Sequence, residues 1–270
     1  MRRDLQSVLV VCTRRIGDVL LATPIIRSLK AALPHVMIDM LVFEGTQDIL
    51  SGNADIRRVW TIVERPGIRP HLALLCSLWQ RYDVAVSVLA GDRPTFHAWV
   101  AGRYRVGTLL PDRKSWWKRR LLNRWVPFDN LLTHSVAMNL QLLAPLGIAP
   151  CGTPVVSWTD EDARAVCALF PDIRSGQPYV VLHVSPKFAY KTWTVAGWVA
   201  LGRWLIDRGL IVVVTGVDSA EQAYCDQIIQ GLPKAVNLIG QVTLPSLAVV
   251  AASTETCLPL AKVCLLRSLP

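Results

Sequence analysis

The chain reads as an α/β protein built from two successive doubly wound units. Three observations predict this. An apolar run, Val8-Leu9-Val10-Val11, breaks at Thr13-Arg14-Arg15-Ile16-Gly17-Asp18 into a helical pattern that starts at Val19-Leu20-Leu21 and continues through Ile25, Ile26 and Leu29. Strand-sized and helix-sized segments then alternate through the first half. After a stretch marked by Pro and Gly, the same alternation restarts at residues 179–184.

A buried strand over 7–12, a tight glycine turn and a helix start account for the opening. Further strands are expected at 37–43, 59–62, 84–88 and 104–108, and helices at 19–32, 46–52, 71–80, 95–101 and 131–146. Such alternation means parallel strands joined by helical crossovers. The domain expected over 1–150 is followed by a connection over 151–178, which carries Gly152-Thr153-Pro154, Gly176-Gln177-Pro178 and one helix at 160–170. A second unit is expected over 179–270. It has strands at 179–184, 210–215 and 235–239 and helices at 195–208, 218–231 and 244–252.

At 270 residues the chain can bury a large core. Its apolar fraction is 52% and its mean hydropathy +0.35, yet no stretch reaches the ~18 apolar residues of a membrane span. Met1-Arg2-Arg3 is followed by Asp4 and Gln6, which does not match a secretory signal, so a cytoplasmic location is expected. The 7 cysteines form no Cys-x-x-Cys pair, and neither a disulfide framework nor a zinc site is expected.

The net charge of +9 favours anionic partners. Arg113, Lys114, Lys118, Arg119, Arg120 and Arg124 fall within twelve residues, among Trp116, Trp117 and Trp125. A phosphorylated substrate, an anionic membrane surface and nucleic acid all suit this cluster, as does a plain solvated helix face. Nucleic acid is the weakest of these, because no nucleic-acid-binding motif accompanies it.

Ligands of open α/β sheets bind at the carboxyl ends of strands, where Asp18 lies beside Arg14 and Arg15. A carboxylate there can act as a base and the cations can hold an anion; alternatively Asp18 only caps the helix. A second loop, Ser185-Pro186-Lys187-Phe188-Ala189-Tyr190-Lys191-Thr192-Trp193, joins a strand to a helix and suits a phosphate or pyrophosphate. A third, Thr215-Gly216-Val217-Asp218 leading to Glu221, reads either as a capping box or as a ribose contact through Glu221. Asp160-Glu161-Asp162 has metal-ligand spacing but is explained more simply by helix capping. His183 reads as a core histidine, and His134 as either structural or substrate-facing. No Gly-x-Gly-x-x-Gly, Walker loop or nucleophile elbow is present, which weakens dehydrogenase, kinase and hydrolase readings.

The opening over residues 8–24, with Arg-x-Ile-Gly-Asp-Val-Leu-Leu-Ala-Thr-Pro, resembles that of glycosyltransferase family 9, the bacterial heptosyltransferases of lipopolysaccharide core assembly. Tyr82-Asp83-Val84-Ala85-Val86, the stretch 180–193 ending in Lys-x-Trp, and Asn237-Leu238-Ile239-Gly240-Gln241-Val242-Thr243-Leu244 agree with it. The resemblance covers residues 7 to about 253. It implies the GT-B architecture: two Rossmann-like domains facing across a cleft. It further implies inverting transfer of heptose from ADP-heptose to a phosphorylated inner-core acceptor, with no cofactor and no metal.

By the same resemblance Asp18 matches the catalytic base and Lys191 the donor-phosphate lysine. Ser185, Lys187, Gly216 and Glu221 fall on the donor side. On charge and position alone, Arg14, Arg15, Arg113, Lys114, Lys118, Arg119 and Arg120 are the candidate acceptor-binding cations, and contact with the inner-membrane surface is a further expected partnership. The family continues past residue 252 into a strand and an Asp-x-Gly-x-x-His segment. This chain reads Ser253-Thr254-Glu255-Thr256-Cys257-Leu258 instead, so the resemblance implies an incomplete second domain. Two rival expectations follow: an incompetent fragment of such an enzyme, or a basic protein that binds membranes or nucleic acid.

Overall fold

The computed structural model describes residues 5–129, 132–175, 177–184, 192–216 and 222–252. The chain divides into two compact units, Met1–Ser157 and Trp158–Pro270. The first holds β1 (Ser7–Cys12), α1 (Ile16–Ala32), β2 (Met37–Phe43), β3 (Arg58–Ile62), α2 (Ile68–Leu78), β4 (Tyr82–Ser87), α3 (Asp92–Ala101), β5 (Gly102–Leu109), α4 (Trp116–Leu121), β6 (Arg124–Pro127) and α5 (Ser135–Gln141). Its six strands are all parallel, in the order β3-β2-β1-β4-β5-β6.

Both faces of this sheet are covered, which explains the unbroken apolar run of β1. Val8, Val10 and Cys12 point to the layer containing Ile25, Ile26 and Leu29 of α1. Leu9 and Val11 point to the opposite layer, with Leu78 of α2 and Ala98 and Ala101 of α3. Burial pushes the Cys12 thiol pKa up, so it acts as a small core hydrophobe rather than a nucleophile.

α1 contains Pro24, which removes one helical hydrogen bond and crowds the preceding turn. Neighbouring hydroxyls take over. Thr23 Oγ1 donates to the Leu20 carbonyl at 2.7 Å and accepts from the Val155 amide at 3.0 Å. The Leu21 carbonyl accepts from Asn139 Nδ2 at 2.9 Å, and Ser28 Oγ accepts from the Cys151 amide at 2.9 Å. Residues 151–155 are therefore stitched to α1. Thr23→Val should leave one carbonyl and one amide without partners and cost about 2 kcal/mol of stability, read as a lower urea midpoint. An unchanged midpoint would show that the hydroxyl is dispensable.

The second unit holds α6 (Asp160–Leu169), β7 (Tyr179–His183), α7 (Val195–Ile206), β8 (Ile211–Thr215), α8 (Gln222–Gly231), β9 (Val236–Asn237) and α9 (Leu244–Ala252). Among the described residues its sheet is parallel, in the order β7-β8-β9. Val180, Leu182 and Val212 pack with Leu205 of α7 and Ile228 of α8. Val181 and Val213 pack on the other side with Val166 of α6, Phe170 just after it and Val249 of α9. The segment expected as a connection thus contributes a core helix, because α6 supplies the apolar cover for that face. The tail from Ser253 lies outside the described residues.

Other boundaries differ from the expectations for local reasons. The helix expected over 131–146 is only α5 plus a 3-10 turn at Ala144–Leu146. Asp129 accepts from the Leu132 amide and the Thr133 hydroxyl, and His134 Nδ1 caps α5 by accepting from the Val136 amide at 3.3 Å. The segment 46–52 is a single 3-10 turn, Gln47–Leu50. β6 was not anticipated; it is a short sheet-edge strand ending in Pro127, a position where the missing amide costs no ladder bond.

Candidate functional site

Strand order reverses between β1 and β4, and the connections leaving these two strands go to opposite faces, α1 to one and α3 to the other. This is the topological switch point, where open α/β sheets bind ligands. A cavity of about 330 Å³ opens there. Thr13 and Arg14 follow β1, Leu89, Ala90 and Gly91 follow β4, Pro94 starts α3, Leu110 follows β5 and Phe128 follows β6. The Thr13 hydroxyl is buried and has no hydrogen-bond partner among the described residues. A second cavity, about 360 Å³ around Asn53 and Arg57, lies at the amino end of β3, on the opposite rim.

Asp18 is the third residue of α1, not its cap. Arg15 is the N-cap and makes no capping hydrogen bond through its side chain. The Asp18 carboxylate is partly exposed and pairs with Arg14 Nε at 3.4 Å, longer than a tight charge-assisted bond. It does not line the cavity, although its partner Arg14 does. Gly17 was expected to make a tight turn but lies in the first helical turn without a positive φ. A Cβ added there would meet nothing within 4 Å, so neither conformation nor packing requires glycine.

The cationic cluster separates into two kinds of residue. Arg113, Lys114, Arg119 and Arg120 are exposed, with Arg119 lying over the Trp125 ring and Arg120 over Trp116. Lys118 was expected among the acceptor-binding cations, but its side chain is only 7% exposed and its Nζ pairs with Asp92 at 3.0 Å. It also donates to the Ala90 carbonyl at 3.3 Å, tying α4 to the β4–α3 loop at the cavity wall. The α4 backbone turns this one lysine inward while its neighbours face water.

On the second unit, Ser185, Lys187, Lys191 and Glu221 lie outside the described residues. Gly216 follows β8, and its carbonyl accepts from the Gly240 amide at 3.1 Å. His183 is not a core histidine: it is exposed at the carboxyl end of β7, with Nδ1 3.2 Å from Thr215 Oγ1. Its apolar neighbours concealed this, because the last residue of a strand can emerge past the covering helices.

The profile of glycosyltransferase family 9 (heptosyltransferase) matches residues 100–259, more than half of the chain. The chain belongs to glycosyltransferase family 9. Lipopolysaccharide heptosyltransferase 3 of Escherichia coli is 28% identical over 256 residues, spanning 86% of this chain and 71% of that protein. The glycosyl transferase family 9 structure from Veillonella parvula superposes with a TM-score of 0.77 at 17% identity, covering 95% of this chain and 75% of that one. E. coli heptosyltransferase WaaC, solved with ADP-2-deoxy-2-fluoro heptose, gives 0.72 at 20% identity, covering 93% and 81%. The glycosyltransferase therefore has the GT-B-type α/β fold class with Rossmann-like units.

Other charged and polar groups of the glycosyltransferase serve structure. Asp162 completes a capping box with Thr159 at the start of α6, which accounts for the Asp160-Glu161-Asp162 spacing. His97 of α3 is buried, and its Nε2 lies 3.2 Å from Nε2 of His71 on α2. Burial, aided by the neighbouring His71 and Arg93 charges, lowers the His97 pKa to about 4. An unfolded imidazole takes up its proton near 6.5, so between these values the unfolded chain binds more protons. Stability should therefore fall on acidification, by on the order of 2 kcal/mol from pH 7 to pH 5. Urea titrations at the two pH values check this, and His97→Gln should remove most of the difference. The same pH slope in that variant would assign it elsewhere.

Proposed function

We propose that this chain transfers heptose from ADP-heptose to a phosphorylated lipopolysaccharide inner-core acceptor, with inversion at the anomeric carbon. One observation carries the chemical reading: a carboxylate, Asp18, stands at the carboxyl end of β1 beside the switch-point cavity and is not consumed as a helix cap. The heptosyltransferase relatives supply the sugar class.

Asp18 takes the proton of the acceptor hydroxyl as that oxygen attacks the anomeric carbon. The bond from that carbon to the donor phosphate breaks, and ADP leaves with the electron pair. A single displacement of this kind inverts the centre. Lys191 and Lys187, with Ser185 and helix-start amides, neutralise the leaving diphosphate, while Gly216 and Glu221 border the nucleoside. Arg14, Arg15 and the exposed cations Arg113, Lys114, Arg119 and Arg120 hold the acceptor's phosphates. Lys118 contributes indirectly by fixing the cavity wall through Asp92 and Ala90. The Thr13 hydroxyl is placed to bond the acceptor sugar.

The open space above Gly17 suits close approach of the acceptor. Gly17→Ala should keep or slightly raise stability, since alanine favours helix by up to about 1 kcal/mol, while slowing transfer about tenfold or more through crowding. Undiminished transfer would remove Gly17 from the substrate path.

The reading is tested by incubating the purified protein with ADP-heptose and heptose-free core lipopolysaccharide. Mass spectrometry should show acceptor carrying one added heptose. Transfer from a different nucleotide sugar but not from ADP-heptose would overturn the sugar assignment. Salt-sensitive nucleic-acid binding without any transfer would favour a basic binding protein instead.

A further inference from the structure

We infer that the outer face of α2 is a membrane-docking surface for an anionic lipid bilayer. The helix packs inward through Leu74, Leu75 and Leu78, so a polar outer face would be normal. The outer face is instead apolar. Ile68 is 80% exposed, Leu72 55% and Trp79 60%, with exposed Cys76 between Leu72 and Trp79. Their spacing of four, four and three residues puts them in one row along the helix, ~16 Å long at 1.5 Å per residue.

Charge selects the occupant. No acidic residue occurs between Glu64 and Asp83, while Arg65, Arg69 and Arg81 are exposed along the same stretch. An apolar row with arginines at its ends, a tryptophan at one end and no carboxylates is the composition of an interfacial helix. Trp79 is held edge-on against Trp99 of α3, with ring centroids 6.2 Å apart, which keeps its ring fixed at the surface. The arginines would meet lipid phosphates, and the row would enter the headgroup–acyl boundary. The continuous anionic field of a lipid surface matches this distribution.

Position supports the same occupant. α2 follows β3, so Ile68, Arg69 and Leu72 lie toward the carboxyl rim of the sheet, the rim that carries the switch-point cavity. Trp79 and Arg81 lie at the other end, where β4 begins, so docking along the row lays the α2 side of the sheet on the bilayer with that rim at one end. This inference depends on neither the sugar transferred nor the identity of the base.

Co-sedimentation with vesicles tests it. The protein should bind phosphatidylethanolamine–phosphatidylglycerol vesicles and bind pure phosphatidylcholine vesicles much more weakly. The triple variant Ile68→Ser/Leu72→Ser/Trp79→Ser should weaken partitioning about tenfold or more. Arg65→Gln/Arg69→Gln should weaken it about fivefold per arginine. Urea midpoints near the native value would show the variants folded, as expected for exposed positions. Equal vesicle binding by the triple variant, or no binding by the native protein, would overturn the inference. A concentration-dependent dimer that the triple variant abolishes would assign the row to a second copy of the chain and overturn it too.

Discussion

Asp18→Asn should reduce turnover by about a hundredfold or more, the usual contribution of a general base, with ADP affinity unchanged. Asparagine keeps the side chain's shape but cannot accept the acceptor's proton. The fold should tolerate it. The Asp18 side chain is 30% exposed and its ion pair to Arg14 is long at 3.4 Å and solvent-screened. It is not the N-cap of α1, so no capping bond is lost. A purely structural Asp18 would give the opposite result: a lower urea midpoint with turnover preserved. Steady-state transfer with saturating donor and acceptor, beside calorimetric ADP titration, separates these outcomes. Near-native turnover would remove Asp18 from the chemistry.

Asp39→Ala should destabilise the first unit by about 3 kcal/mol, the lower end of the range for breaking a buried pair. Asp39 lies on β2 with no exposure, and accepts from Arg57 Nε at 2.9 Å, from a second Arg57 nitrogen at 2.7 Å and from the Tyr82 hydroxyl at 2.6 Å. The Tyr82 oxygen in turn accepts from Trp60 Nε1 at 2.8 Å. Burial alone would raise the Asp39 pKa, but the bonds from Arg57 and Tyr82 and the guanidinium charge outweigh it and hold it below the usual range. Alanine removes the acceptor at the centre of this network and strands the tyrosine hydroxyl. The Arg57 end is 42% exposed and can return to water, which limits the loss. Tyr82→Phe should cost less, about 1 kcal/mol, because Asp39 keeps Arg57. Urea unfolding of both variants gives the test, and equal losses would contradict this ranking. Since the folded Asp39 pKa lies below its unfolded one, its stabilisation is complete above the unfolded value and is lost as pH falls through the folded value.

Much of the architecture was legible because the signals are local. β1 was readable to the residue, since a strand buried on both faces reads as a near-continuous apolar run, and β2 was as well because Asp39 is the one polar position within its run. Capping as the role of Asp160-Glu161-Asp162 was readable because the partners of a cap, here Thr159 and Asp162, lie within one helical turn. Asp18 could be singled out at the end of an apolar strand. Signals that depend on distant partners were not legible. His183 looked interior because Val180–Leu182 are apolar, yet exposure at a strand end is decided by where the covering helices stop. Lys118 looked like its neighbours, yet Asp92 and Ala90, far off in sequence, draw it inward.

The sequence by itself determined the alternation of strands and helices, the restart that marks a second unit, the Gly17-Asp18 helix start and the family. The first three follow from periodicity and short-range spacing, which any stretch of chain carries within itself, and the family from the resemblance of its motifs. Tertiary structure alone decided the strand order that creates the switch point between β1 and β4 and the burial of Lys118. It also decided the stitching of residues 151–155 to the Thr23 and Ser28 hydroxyls of α1 and the exposure of the apolar row on α2. Each depends on which distant segment reaches a given hydrogen-bonding group or apolar surface first. That competition is settled by packing of the whole unit, so a residue's type and its near neighbours do not encode the result.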